Sequence, residues 1–178
     1  MSQPAGPGAG GSLPDSSRPG TDGGAPGGKA VVVGVDGSDA SRAAIALAAL
    51  EARYRDARLI AVQAYSGERT MGGPAARPLS TPRAAEDERV DTEMSLRRAV
   101  CDVLGEQADG VEVRVILGLA GRKIVEMADK VNAQLIVLAT RGSTSMLLGT
   151  VSQYVLRKAP CPVLVVPGGS GAARSMLA

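Results

Sequence analysis

VLATRGSTSMLLGTVSQYV, residues Val137 to Val155, decides how the chain folds. An apolar run from Leu135 to Leu138 stops at Thr140-Arg141-Gly142. Six residues, Ser143 to Leu148, then separate Gly142 from Gly149-Thr150, where helical spacing begins. A strand, a glycine-containing loop and a Gly-Thr helix start together make an anion cradle. Glycine lets main-chain N–H groups approach a phosphate, and the helix start offers unpaired donors and a partial positive charge. An ordinary helix start, with Thr150 or Ser152 as a simple cap, fits the same spacing.

Outward from this stretch the chain alternates between strand and helix patterns. Ala30–Val35 (AVVVGV) is a continuous apolar run of the kind that parallel strands show when both faces are covered. Asp36-Gly37-Ser38 turns the chain, and Ser38 is placed to cap a helix through Arg53 with Ala43, Leu47 and Leu50 on its inward face. Leu59–Tyr65 reads as a second strand. Thr81-Pro82 has the cap-plus-proline form of a helix start, and that helix runs to about Leu104 with Leu96, Val100, Val103 and Leu104 inward. A third strand covers Val111–Leu117. A short helix follows with Ile124, Ala128 and Val131 on one face, and Asn132 suits its end. Leu135–Thr140 is the fourth strand, the Gly149-Thr150 helix closes at Pro160, and Pro162–Val166 is the fifth strand.

This alternation predicts an α/β domain, a doubly wound five-stranded parallel sheet with helices on both faces. Right-handed crossovers leave few strand orders, and 3-2-1-4-5 sets strands 1 and 4 side by side where the order reverses. Ligands of such sheets bind at the carboxyl ends of the strands at that point. Asp36-Gly37-Ser38 leaves strand 1 there and Thr140-Arg141-Gly142 leaves strand 4 there, so two loops with phosphate-compatible chemistry converge on one crevice.

Composition narrows the chemistry. The 178 residues include no His, Phe or Trp and three Tyr. Without imidazole there is no Ser-His-Asp triad and no histidine metal ligand. Three tyrosines make no stacking platform for single-stranded nucleic acid. The formal charge of +2 is mixed in sign, which argues against nucleic-acid and membrane partners. Cys101 and Cys161, far apart in apolar settings, read as two buried small hydrophobes. No run is long enough to span a bilayer and the N-terminus has no apolar signal core, so a cytoplasmic address is expected. Residues 1–28 are dominated by Gly, Pro and Ser and read as a disordered arm. Residues 29–167 are the folded domain, Ser66–Pro82 a long surface loop, and residues 168–178 a loose tail.

Four segments carry a family resemblance: VVVGVDGSDAS (Val31–Ser41), LIAVQAY (Leu59–Tyr65), GLAGRKIVEMADKVNAQLIVLATRG (Gly118–Gly142) and GTVSQYVLRKAPCPVLVVP (Gly149–Pro167). From Lys29 to Pro167 the chain resembles the universal stress proteins, and the last segment is the most specific. The resemblance implies a nucleotide-binding fold, frequent homodimers and, in one branch, bound ATP. That branch carries Gly-x-x-Gly, nine residues, then Gly-Ser or Gly-Thr. Here Ala139 stands at the first glycine, Gly142 at the second and Gly149-Thr150 at the final pair, with the loop three residues shorter. Alanine adds a methyl group and resists positive φ. The lost residues amount to nearly one helical turn, about 3.6 residues.

Site residues follow position by position from the resemblance. Gly34, Val35 and Asp36 lie beneath ribose and phosphates, and Asp36 would hold a hydroxyl or help seat a magnesium ion. An Asx-turn, in which Asp36 shapes its own corner, is the alternative. The backbone of Ala64 would meet the adenine. Gly142, Ser143, Gly149, Thr150, Val151 and Ser152 would surround the phosphates with N–H and hydroxyl donors. Arg141 either reaches the phosphates or stays solvated. The expected function is a stress-response regulator that binds ATP or a related adenine nucleotide with little or no turnover. The alternatives are a regulatory dimer of the same fold without nucleotide affinity, and a slow ATP hydrolase. Nothing resembles a Walker lysine, so an enzyme is not expected. The apolar fifth strand, at the sheet edge, predicts a homodimer formed by antiparallel pairing of that strand.

Overall fold

Ala30, Val31, Val32 and Val33 are fully buried, and this run is the centre of the molecule. The computed structural model describes residues 28–66, 82–140 and 148–167. The expected arm (but for Gly28), most of the long surface loop with Thr81, the tail 168–178, and Arg141, Gly142 and Ser143 lie outside the described residues.

The elements are β1 (Ala30–Gly34), α1 (Asp39–Tyr54), β2 (Arg58–Tyr65), α2 (Pro82–Leu104), a 3-10 helix (Gly105–Gly110), β3 (Val111–Leu117), α3 (Ala120–Lys130), β4 (Ala133–Ala139), α4 (Thr150–Lys158) and β5 (Val163–Val166). The five strands form one sheet in the order β3-β2-β1-β4-β5, every pair parallel, as the alternation predicted. β1 sits between β2 and β4, with Gly34 level with Val62 on one side and Leu138 on the other.

Side chains alternate across the sheet and divide the core in two. On one face Val31, Val33, Leu59, Ala61, Leu135 and Val137 pack with Ala44, Ala48, Leu96 and Val100 of α1 and α2. On the other, Val32, Ile60, Val62, Ile136 and Leu138 pack with Ile124 and Ala128 of α3 and Val155 of α4. Fully burying an Ile or Leu side chain contributes about 1.5–3 kcal/mol. The buried hydrophobic residues of the described core are all aliphatic.

The structure corrects several local expectations. In α1, Ala44, Ile45, Ala48 and Ala52 are buried along with the expected Ala43, while Leu50 is 41% exposed. The helix is so rich in alanine that apolar spacing alone does not pick its inward face. The small side chains seat it close to the sheet, and the larger Leu50 is left outside. Val103 and Leu104 face the core as expected but are only partly buried, at the end of α2 where the 3-10 helix begins. β1 ends one residue early at Gly34, yet the Val35 N–H still donates to Val62 O at 2.9 Å. Cys101 is exposed on α2 and Cys161 is partly buried, so only the second approaches the buried hydrophobe expected of both. Asn132 closes α3 with φ +50, the left-handed geometry in which its short amide is tolerated.

Polar side chains cover the outside. On α2, Arg89 bridges Glu86 and Glu93, and Arg97 also reaches Glu93, an i,i+3/i+4 ladder. The arginines hold both glutamates below the usual carboxylate range, chiefly through side-chain hydrogen bonds.

A crevice at the reversal of strand order

Gly34 lies under the side chains of Leu138 and Ile124. Without a Cβ at this position, β1, β4 and α3 approach closely below a cavity of about 420 Å3 at the carboxyl ends of β1, β2 and β4. Of the twelve residues assigned from the sequence, nine fall within the described residues: Gly34, Val35, Asp36, Ala64, Ala139, Gly149, Thr150, Val151 and Ser152. All nine line this cavity. The sequence-based assignment of Arg141, Gly142 and Ser143 lies outside the described residues.

The first wall is the corner after β1. Asp36 Oδ1 accepts hydrogen bonds from the Ser38 N–H at 3.0 Å, the Ser38 hydroxyl at 2.5 Å and the Ser41 hydroxyl at 2.6 Å. The Ser41 hydroxyl also accepts from the Asp36 N–H at 3.2 Å. Gly37 sits at φ +76 between them, where a side chain would be strained. This is the Asx-turn geometry, with Asp36 shaping its own corner while facing the cavity. Ser38 occupies the N-cap position of α1, but its side chain does not cap; its hydroxyl serves Asp36 instead.

The opposite wall is the start of α4. Gly149 is the N-cap residue, at φ −60 and ψ 162, and no side chain caps the helix. The first-turn N–H groups are thus left without a side-chain acceptor, and the positive end of the helix dipole opens beside the cavity. Gln153 Nε2 donates to Leu148 O at 2.7 Å and braces the turn that leads into the helix. Ser152 is only 4% exposed, one of two buried polar residues among the described residues, and it lines the cavity.

The floor and sides include residues that sequence reasoning missed, Gln63, Ala120, Ile124 and Leu138, together with Thr140, which it had placed at the strand 4 end of the crevice. Ile124 and Leu138 were recognised only as core, and their position above Gly34 gives them a second role as an apolar side of the cavity. The Thr140 N–H donates to Val166 O at 2.9 Å, which ties this end of the site to the edge strand β5. Alternation along β2 sends Ala64 toward α3 and α4 with Ile60 and Val62, and sends Gln63 toward α1 and α2 with Leu59 and Ala61. Gln63 Oε1 is buried there without a hydrogen-bond partner.

The N–H and hydroxyl donors of the described lining suit an anion. Among the described residues no group of three His, Cys, Asp or Glu side chains could hold a metal ion. Among them, too, no helix is long and apolar enough to cross a membrane.

Comparison with known proteins agrees with this architecture. The family model described as the universal stress protein family matches residues 28–167. A universal stress protein of Thermus aquaticus is 34% identical over 142 residues, covering 78% of this chain and 98% of its own. Among solved structures, a universal stress protein in complex with cAMP is 31% identical, with a TM-score of 0.57, covering 78% of this chain and 96% of that one. A universal stress protein from Archaeoglobus fulgidus in complex with dAMP is 25% identical, with a TM-score of 0.51, covering 78% and 97%. The five-stranded sheet, its switch-point crevice and these matches together establish that the chain belongs to the universal stress protein family.

Proposed function

We propose that this protein is a stress-response regulator that binds an adenine nucleotide in the crevice between β1 and β4, with little or no turnover. The observation that carries the reading is convergence: a corner after β1, the end of β2 and an uncapped α4 N-terminus meet around one cavity of about 420 Å3. The α4 end suits phosphate, and Ala64, Ile124 and Leu138 offer apolar contact to a base. The nucleotide-bound relatives named above support the ligand class, and ATP is the form we favour. Gly142, Ser143 and Arg141 complete the phosphate loop in this reading.

Asp36 is the one candidate to help seat magnesium, and its Oδ1 already serves Ser38 and Ser41. We therefore assign it first to shaping the corner. Hydrolysis needs an oriented water and charge stabilisation on the transferred phosphate, and the described part of the cavity lining contains Asp36 as its only carboxylate. The protein acts from the cytoplasm as a homodimer joined along β5. Mass spectrometry of the purified protein under non-denaturing conditions tests the reading: a co-purifying adenine nucleotide, or calorimetric binding of added ATP, is expected. Absence of both would leave a regulatory dimer without nucleotide affinity. Phosphate release from bound ATP at a catalytic rate would make it an enzyme.

A further inference from the structure

A second cavity, about 500 Å3, lies at the other end of the sheet, by the amino ends of β2 and β3. Its walls are Ala49 and Ala52 of α1, Ala57, Leu59, Val111 and Leu104, all apolar. Arg53, Arg58 and Gln107 supply its polar lining. The site shares no lining residue with the β1/β4 crevice.

Arg58 has more donor capacity than the structure uses. Its guanidinium carries five N–H donors. Nη1 donates to Glu112 Oε2 at 3.1 Å, which leaves Nη2 for a ligand, while Nε is unpartnered but buried out of a ligand's reach. Glu112 is itself shared, because Arg114 Nε donates to its Oε1 at 2.6 Å. Arg53, in the last turn of α1, joins no ion pair among the described residues. We infer that this cavity is a binding site for a small monocarboxylate with an apolar body, held by Arg53 and Arg58.

The chemistry of the lining sets the class of ligand. Arg53 and Arg58 are the charged residues of the described lining, and no carboxylate is among them. The carboxyl ends of α1 and α2 lie at the same end of the sheet and oppose their charge with about half a unit each. Guanidinium groups meet carboxylates through paired, charge-assisted hydrogen bonds. The alanine, leucine and valine walls take the hydrocarbon part out of water.

The test is an NMR titration of the isotope-labelled full chain with octanoate, octylammonium and octanol. The backbone amides of Ala52, Ala57, Leu59 and Val111 report this cavity, and those of Gly34 and Ala64 report the other. Octanoate should shift the first group in a saturable manner and bind at least about tenfold more tightly than octylammonium or octanol. The double variant Arg53→Gln/Arg58→Gln should lose that preference. Glu112 keeps Arg114 in that variant, so the fold should persist. If it does not, Arg53→Gln alone, on an exposed side chain, should reduce the preference. No shift in the first group, equal response to the three probes, or an unchanged preference in a folded variant would overturn the assignment. None of these outcomes depends on nucleotide binding at the β1/β4 crevice.

Discussion

A Cβ placed on Gly34 would lie 2.5 Å from Leu138 Cδ2 and 2.7 Å from Ile124 Cδ1. Non-bonded carbon atoms do not approach so closely, so a side chain at this position forces the terminal methyl groups of Leu138 and Ile124 to move within a packed core. Gly34→Ala should cost about 1–3 kcal/mol of stability. Because the displaced residues also line the cavity, nucleotide affinity should fall with it. Denaturant unfolding and calorimetry on the same samples check both effects, and an unperturbed protein would show that the packing relaxes more readily than the geometry implies.

Gly149 gives the opposite case. Nothing lies within 4 Å of a Cβ built there, and its backbone angles suit any residue. Gly149→Val should therefore change the thermal unfolding of the empty protein little, by less than about 1 kcal/mol. It should nevertheless reduce nucleotide affinity by at least about tenfold, by placing a branched side chain where the phosphate meets the α4 N-terminus. Unaltered calorimetric affinity would remove Gly149 from the site.

The described elements all fall between Ala30 and Val166. Deleting residues 1–28 should leave both the melting temperature and the nucleotide affinity unchanged. A drop in either on differential scanning calorimetry or titration would show that these residues support the domain.

β5 is an edge strand, with β4 on one side only. Light scattering at micromolar concentration should give a dimer mass. Val165→Lys should weaken the dimer, because a charge on the free edge opposes strand pairing. It is preferable to Leu164→Lys, since Leu164 packs against the α1/α2 core and its loss confuses assembly with folding. A monomer mass for the unaltered protein would reject pairing along β5.

Burial pushes the Cys161 thiol up from its ordinary value. The folded state thus favours the protonated thiol, and the stability tied to this group is present below the ordinary value and lost as the pH rises through the shifted one. Alkylation at mildly alkaline pH should modify the exposed Cys101 first and Cys161 slowly. Mass spectrometry of the time course decides, and equal rates would contradict the placement of Cys161.

The strands were legible because parallel strands covered on both faces read as unbroken apolar runs, and Val31 to Val33 and Leu135 to Leu138 could be little else. The switch-point crevice followed from strand order together with two polar loops. What did not show was the consequence of packing. Alanines at 43, 44, 48, 49 and 52 are compatible with several inward faces of α1, and only the fit against the sheet selects one. The cavity roles of Ile124 and Leu138 depend on their meeting over Gly34, a contact between residues about a hundred positions apart. The Asp36–Ser41 hydrogen bond was hidden for a related reason. Asp-Gly-Ser signals a turn, but not which hydroxyl the carboxylate selects.

The aliphatic core makes the protein nearly silent in the near ultraviolet. With no tryptophan and three tyrosines, its own absorption is faint, so a bound purine would dominate the spectrum of the complex. Tyr154 lies against Gly121 where α3 and α4 cross, and α4 begins at the cavity wall. Tyrosine emission, unmasked by any indole and with Tyr154 as one of its three sources, would report without an attached dye whether α4 moves when the crevice is filled.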